Sequence, residues 1–159
     1  MVSQSLKEII IKHAEQHKLI PKIVIGICQQ ESAFNPVSCR YEKNYKWLYK
    51  PDKVKPKLCS LDTETVFQQT SWGIMQVMGA VYREYGYTDW LPVIISDIEN
   101  QIAYGCKHLA NLKKRFPDGL DYIAAYNAGS PRKLSSGKYV NQSYIDGVLE
   151  FAENFNKSQ

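Results

Sequence analysis

The sequence lacks an apolar run long enough to span a bilayer, and charged residues interrupt every apolar stretch near its N-terminus. Residues 1–12 therefore predict an amphipathic helix and not a secretory signal peptide. We expect the encoded chain to be synthesised in the cytoplasm without a signal peptide and not to insert into a membrane. If its target lies outside the cytoplasm, another factor must carry the protein there.

Metal-binding and nucleic-acid-binding patterns are also missing. The four cysteines have no CxxC spacing and no matching histidine pairs, so a zinc site is not expected. Cys28 and Cys106 lie on apolar helix faces, whereas Cys39 and Cys59 flank one loop and are either bridged or reduced. No basic run approaches a nucleic-acid-binding arm, and the net charge of +4 suits an anionic polymer such as a cell wall.

The chain of 159 residues, 44% of them hydrophobic, has the size of one compact domain. We expect residues 1–159 to form a single, mainly α domain. The predicted helices cover residues 4–17, 21–32, 63–69, 75–85 and 98–116, a segment from Leu120 that stops at Gly129, and residues 143–155. Periodicity is lost between residues 33 and 63, which indicates a long irregular insertion with room for short β-strands.

Glu31 is the one acid in the apolar stripe of the 21–32 helix. At about 100° per residue it shares a face with Ile27 and Cys28. A carboxylate on such a face must be paired, or lie at the rim of a cavity with its pKa raised. Because a raised pKa suits a general acid near neutral pH, Glu31 is either a core acid bonded to its neighbours or a catalytic acid.

Two further polar patches interrupt apolar segments that read as helical, namely Gln76 and the pair Tyr126-Asn127. Buried polar groups need partners, so patches on different elements could satisfy one another around a cleft. Taken singly, each has a structural explanation: Gln76 as a helix-start residue, Tyr126 as a core aromatic and Asn127 as a helix cap. His108 falls off the apolar stripe of its predicted helix and is expected to face solvent.

Together the three patches resemble the motifs of the lytic transglycosylase family, in the goose-type lysozyme and soluble lytic transglycosylase group. Residues 31–36, Glu-Ser-Ala-Phe-Asn-Pro, are similar to its catalytic-glutamate motif. Residues 73–78, Gly-Ile-Met-Gln-Val-Met, are similar to its Gly-Leu-Met-Gln motif, and residues 125–129 to its Ala-Tyr-Asn-Ala-Gly motif. Order and approximate spacing agree over residues 23–129. Residues 40–42 and 70–73 most resemble members from bacteriophages or prophages.

The resemblance implies a lysozyme-like fold and peptidoglycan as the substrate. The bond would be the β-1,4 link from N-acetylmuramic acid to N-acetylglucosamine. Glu31 would protonate the leaving oxygen and then act as base on the C6 hydroxyl, so that a 1,6-anhydro ring closes without water. One carboxylate would then suffice where ordinary glycosidases use two.

The same resemblance assigns roles to the other motif residues. Ser32 and Gln76 would bind the sugar or its N-acetyl group, and Met75 would line the cleft. Tyr126 would hydrogen-bond near Glu31, and Asn127 would support that wall. It calls for no metal or cofactor. The expected partner is the glycan strand and not nucleic acid, and the protein is expected to be a monomer acting on the cell wall.

Other readings stay open at this stage. Glu42 is either a surface acid or a second carboxylate, in which case the enzyme is a hydrolysing muramidase; Asp62 and Glu64 are weaker candidates for that role. A non-enzymatic wall-binding or virion protein is the alternative from another class. The insertion also carries aromatic residues that could stack on sugar rings or pin the loop to the body: Tyr41, Tyr45, Trp47 and Tyr49.

Overall fold

The structure, a computed structural model, describes residues 3–155. They are mainly helical with one small three-stranded sheet, which confirms the predicted fold class. The described chain forms two compact units: the first unit contains residues 3–30 and 106–155, and the second unit contains residues 31–105. That residues 1–159 are a single domain stays a prediction.

The elements follow the chain in this order: α1 (Gln4–Gln16), α2 (Pro21–Ser32), β1 (Cys39–Tyr41), α3 (Pro51–Val54), α4 (Leu61–Gln68), β2 (Thr70–Trp72), β3 (Val77–Met78), α5 (Gly79–Glu84), a 3-10 helix (Leu91–Ser96), α6 (Ile98–Arg115), α7 (Asp121–Ala128) and α8 (Gln142–Asn154). Most predicted helices are confirmed to within two residues at each end. The 3-10 helix was not predicted from the sequence.

The first unit is built on the apolar helix α2. All of its residues from Ile23 to Cys28 are buried. A Cβ atom on Gly26 would lie 2.3 Å from the carbonyl oxygen of Val148, so a glycine is needed where α2 meets α8. Gly129 ends α7 in the left-handed conformation, with φ of 73°, as the sequence predicts.

The second unit holds the sheet, whose strands are antiparallel in the order β1-β2-β3. The prediction of a helix over residues 75–85 is wrong in its first part, because residues 77–78 form β3 and the helix begins only at Gly79. Gly73 and Gln76 both adopt positive φ, 75° and 48°, and a tight turn of this kind cannot continue as an α-helix. A Cβ on Gly79 would lie 2.1 Å from the carbonyl oxygen of Phe67.

The insertion over residues 33–63 is confirmed as largely irregular, and it contains the short strand β1 and the short helix α3. Asp97 caps α6, since its Oδ1 accepts a hydrogen bond of 3.0 Å from the backbone N–H of Asn100. No helix within residues 3–155 is long and apolar enough to cross a membrane.

The four cysteines are free thiols, with Cys39 exposed and the others buried. The alternative of a bridge between Cys39 and Cys59 is therefore not what the structure has. In the part of the chain that is described, no group of three His, Cys, Asp or Glu side chains could hold a metal ion.

Candidate active site

Glu31 is the last residue but one of α2, the first residue of the second unit, and half-buried. The helix ends directly after it because Ala33 and Phe34 both have positive φ, 52° and 63°. Residues with a Cβ atom adopt this conformation at an energetic cost, so the surrounding structure must hold it in place. The backbone that carries the Glu31 side chain is thereby held at the C-terminal end of α2.

The hydroxyl of Ser32 joins the first two sequence motifs. It donates a hydrogen bond of 2.8 Å to the carbonyl oxygen of Ile74 and accepts one of 3.1 Å from the backbone N–H of Asn35. The end of α2 is therefore tied both to the turn between β2 and β3 and to its own following loop. The structure brings the Glu31-Ser32 and Met75-Gln76 segments together, as a shared site requires.

The side-chain amide of Gln76 organises the turn. Its Oε1 accepts a bond of 2.8 Å from the hydroxyl of Ser71, and its Nε2 donates to the carbonyl oxygens of Ser38 and Gly73 at 3.1 and 2.8 Å. Both amide N–H groups are thus used, and one lone pair of Oε1 is left over. The structural explanation that made Gln76 a helix-start residue is wrong, since it lies in a hairpin turn.

Met75 is fully buried beneath this turn. A Cβ atom on Gly105 would lie 2.3 Å from its sulfur, so Met75 fills the space that this glycine leaves. Lining a cleft requires exposed surface, and Met75 has none in this structure. Its position is that of a core residue that supports the turn from below.

Gln101 is a buried residue of the site that the sequence reading missed. Its Oε1 accepts a bond of 2.8 Å from the backbone N–H of Ile74, and its Nε2 donates to the carbonyl oxygens of Pro36 and Ile94 at 3.1 and 2.8 Å. The signal was present, because Gln101 lies four residues before Gly105 on the apolar face of α6. This is the same pattern that singled out Glu31.

Tyr126 and Asn127 belong to the first unit. The half-buried ring of Tyr126 lies against the ring of His108, with centroids 5.5 Å apart. Burial lowers the pKa of His108 from 6.5 to about 4, so that imidazole is neutral at neutral pH. The expectation that His108 faces solvent is wrong, because α6 turns this side toward α7.

Asn127 is exposed, and its Oδ1 accepts a hydrogen bond of 3.0 Å from the side-chain amide of Asn141. The same amide donates to the carbonyl oxygen of Ala124 at 3.0 Å. Asn141 was also missed from the sequence, although an asparagine just before a predicted helix is a recognisable signal. It fixes the end of α7, where the third motif lies.

A family model described as the transglycosylase SLT domain matches residues 8–147, which is most of the chain. This protein belongs to that family. SLT-domain family members are lytic transglycosylases acting on peptidoglycan, so this SLT domain is a peptidoglycan-cleaving enzyme that works on the cell wall. No curated protein and no solved structure matches the chain. Because members of this family are enzymes, the alternative of a non-enzymatic wall-binding or virion protein is not retained.

The second unit of the SLT domain carries Glu42 on its surface. The Oε1 atom of Glu42 pairs with Nε of Arg40 at 2.5 Å, and the side chains of Arg40 and Glu42 are 74% and 38% exposed. Its backbone N–H donates to the carbonyl oxygen of Gln69 at 2.8 Å. The carboxylate of Glu42 is therefore already paired with a cation of the preceding strand β1, and its backbone is tied to the end of α4.

Glu64, a weaker candidate for a second carboxylate, has no exposed surface. Its two oxygens pair with Nε and Nη2 of Arg83 at 2.7 and 2.9 Å, and Oε1 also accepts a bond of 2.9 Å from Gln68. A buried carboxylate with both oxygens bound cannot position a water, so Glu64 is structural. Asp62 is exposed in the first turn of α4.

Proposed function

We propose that this SLT domain cleaves the β-1,4 bond between N-acetylmuramic acid and N-acetylglucosamine, with Glu31 as general acid and then general base. The product would be a strand ending in 1,6-anhydro-N-acetylmuramic acid. The observation that supports this most is the bond from Ser32 to Ile74, which places the motif containing the acid beside the turn that carries Gln76.

One carboxylate is enough to account for every proton transferred in this reaction. Glu31 gives its proton to the glycosidic oxygen as the bond from C1 to that oxygen breaks, while the N-acetyl oxygen of the substrate assists at C1. The resulting carboxylate then removes the proton from the C6 hydroxyl as O6 attacks C1. Glu31 ends the cycle protonated, and no water is consumed.

The position of Glu31 supports its acid role. The last carbonyl groups of a helix carry partial negative charge, which is unfavourable for a carboxylate placed at that end. The first step requires Glu31 to start the cycle protonated.

Gln76 is proposed to bind the N-acetyl group through the lone pair of Oε1 that Ser71 leaves over. An amide N–H of the sugar is the donor that such an acceptor would take. Ser32 has its only hydroxyl proton committed to Ile74. Its proposed contribution is therefore to hold the turn against which the sugar binds.

The test is a Glu31→Gln variant assayed on purified peptidoglycan. The amide keeps the shape of the side chain but cannot deliver a proton, so we expect activity to fall at least ~10²-fold with the fold retained. Glu84→Gln, a change at an exposed acid of the same unit, is the matched control and should remain active. A folded Glu31→Gln protein that clears a wall suspension at the normal rate would overturn the assignment.

Two further statements stay predictions. The first is an origin in a bacteriophage or prophage, which rests on the likeness of residues 40–42 and 70–73 to such members. The second is that the enzyme acts as a monomer, which sedimentation at several concentrations would check.

A further inference from the structure

The segment between β1 and α3 carries an aromatic pair, in which Trp47 is exposed and Tyr45 is half-buried. We call residues 43–50 the aromatic loop; it contains no helix or strand. The rings of Tyr45 and Trp47 meet edge to face, with centroids 5.5 Å apart and planes at 69°. The Trp47 residue is 76% exposed, which leaves a broad apolar surface of the indole open to solvent.

Two adjacent glutamines hold this loop in one conformation. Gln69 donates from Nε2 to the carbonyl oxygen of Tyr45 at 3.0 Å. Gln68 makes a double contact with the backbone of Tyr49, accepting from its N–H at 2.7 Å and donating to its carbonyl oxygen at 3.1 Å. Trp47 lies two residues after Tyr45 and two residues before Tyr49, so its backbone is held from both sides although the loop lacks regular structure.

The side chain of Gln68, which holds Tyr49, is also bonded to the core of the second unit. Nε2 of Gln68 also donates to Glu64 at 2.9 Å, and Glu64 is paired with the buried Arg83. A loop tied to a buried ion pair loses little conformational entropy when a ligand binds to it. An exposed aromatic surface on such a loop is preorganised for binding, which saves free energy on association.

The charge around the aromatic pair also indicates a ligand. Along the loop and the start of α3, exposed lysines outnumber the exposed acid Asp52: Lys43, Lys46, Lys50 and Lys53. A pyranose ring presents flat faces of C–H groups that stack on an indole, and the peptides attached to a peptidoglycan strand carry carboxylates. An aromatic platform among lysines fits both parts of that polymer.

We propose that Trp47, supported by Tyr45, is a sugar-stacking site that holds the peptidoglycan strand in addition to the residues that carry out the reaction. This rests on the proposed function for its substrate and adds a binding residue to it. The lysines would contribute attraction to the anionic peptides, and the stacking would supply the preference for sugar.

Binding to purified peptidoglycan sacculi tests this, with the bound fraction measured at increasing wall concentration. Trp47→Ala should weaken binding about tenfold, the scale expected for loss of a central aromatic contact. Trp47→Phe should restore part of it. Leu58→Ala is the matched control, since Leu58 is 87% exposed in the same insertion but has no ring, and its binding should equal that of the unchanged protein.

Competition distinguishes stacking from other causes. Oligomers of N-acetylglucosamine should release the unchanged protein from sacculi, and polyglutamate should do so only weakly. Three results would each overturn the proposal. The first is release by polyglutamate alone, and the second is binding by Trp47→Ala equal to that of the unchanged protein. The third is self-association of the unchanged protein that Trp47→Ala abolishes. The result is independent of Glu31: an active Glu31→Gln protein would end the catalytic assignment and leave the Trp47 measurement intact.

Discussion

The hydroxyl of Ser32 donates a hydrogen bond of 2.8 Å to the carbonyl oxygen of Ile74, across 42 residues of sequence. This bond couples the helix end that carries Glu31 to the hairpin turn that carries Gln76. Two motifs that are far apart in the chain thus share one local structure, in which moving either displaces the other.

Replacing Ser32 with Ala should therefore loosen the site. The change leaves the carbonyl of Ile74 and the N–H of Asn35 without this partner, and we expect the free energy of unfolding to fall by about 1–2 kcal/mol. Urea denaturation would measure it, with Ser135→Ala at an exposed position as the control. Unchanged stability together with normal activity would show that the bond is dispensable.

Tyr126→Phe removes only a hydroxyl. The likeness of residues 125–129 to the family motif implies a role for Tyr126 in the reaction, so we expect turnover to fall clearly while the melting temperature stays nearly constant. Comparing specific activity with a thermal melt separates the two effects. If the melting temperature drops sharply and the folded fraction keeps its activity, Tyr126 is a structural residue.

Glu42→Gln decides between transglycosylation and hydrolysis. If O6 of the sugar is the nucleophile, no second carboxylate is needed, and the products should stay lighter by one water (about 18 Da) than reducing-end fragments. Activity should fall only modestly, since Glu42 already pairs with Arg40. Mass spectrometry that finds only reducing ends, combined with an inactive Glu42→Gln variant, would establish the muramidase alternative instead.

Glu64→Gln should destabilise the enzyme strongly. It would leave Arg83 buried with 2% exposure and without its countercharge, a change that typically costs about 3–5 kcal/mol. Chemical denaturation of this variant beside Glu84→Gln would show the difference, because an exposed acid should change stability by less than about 0.5 kcal/mol. Equal midpoints for the two variants would contradict a structural role for the ion pair.

His108 should make the enzyme less stable in mild acid. Its pKa is lowered from 6.5 to about 4 in the folded state, so between these values the unfolded chain binds a proton that the folded protein does not. Stability must then fall as pH decreases through this window, by at most about 3 kcal/mol. His108→Gln should show a shallower slope in denaturation between about pH 7.5 and 4.5. His17, whose pKa burial also lowers, is present in both proteins and cancels in the comparison.

The sequence predicted the helices well where local signals and burial agree. Helix α2 has the predicted bounds because Pro21 starts it and an unbroken apolar face follows. The 75–85 helix failed in its first part because Gln76 is held at positive φ by a hydrogen bond to Ser38, a residue far away in the chain. The helix propensity of a short segment contains no information about such a distant partner.

The site was predicted in residue type more reliably than in role. Glu31, Ser32 and Gln76 were chosen as polar residues among apolar ones. The hydroxyl of Ser32 and the amide of Gln76 do have specific partners. Met75 was given a cleft position because a motif does not report exposure. Asn141 and Gln101 stand at positions that local signals single out, but their partners, mostly backbone groups, become neighbours only in the folded chain, so the sequence does not show their roles.

The contact between Gly26 and Val148 has a consequence for biosynthesis. The second unit is one continuous stretch of chain, whereas the first unit needs helices from both ends of the sequence. Residues 31–105 leave the ribosome together, but α2 must wait for α8, which is made after the whole of the second unit. A message truncated before α8 would release a chain whose α2 apolar residues have lost a covering partner, and such chains aggregate or are degraded.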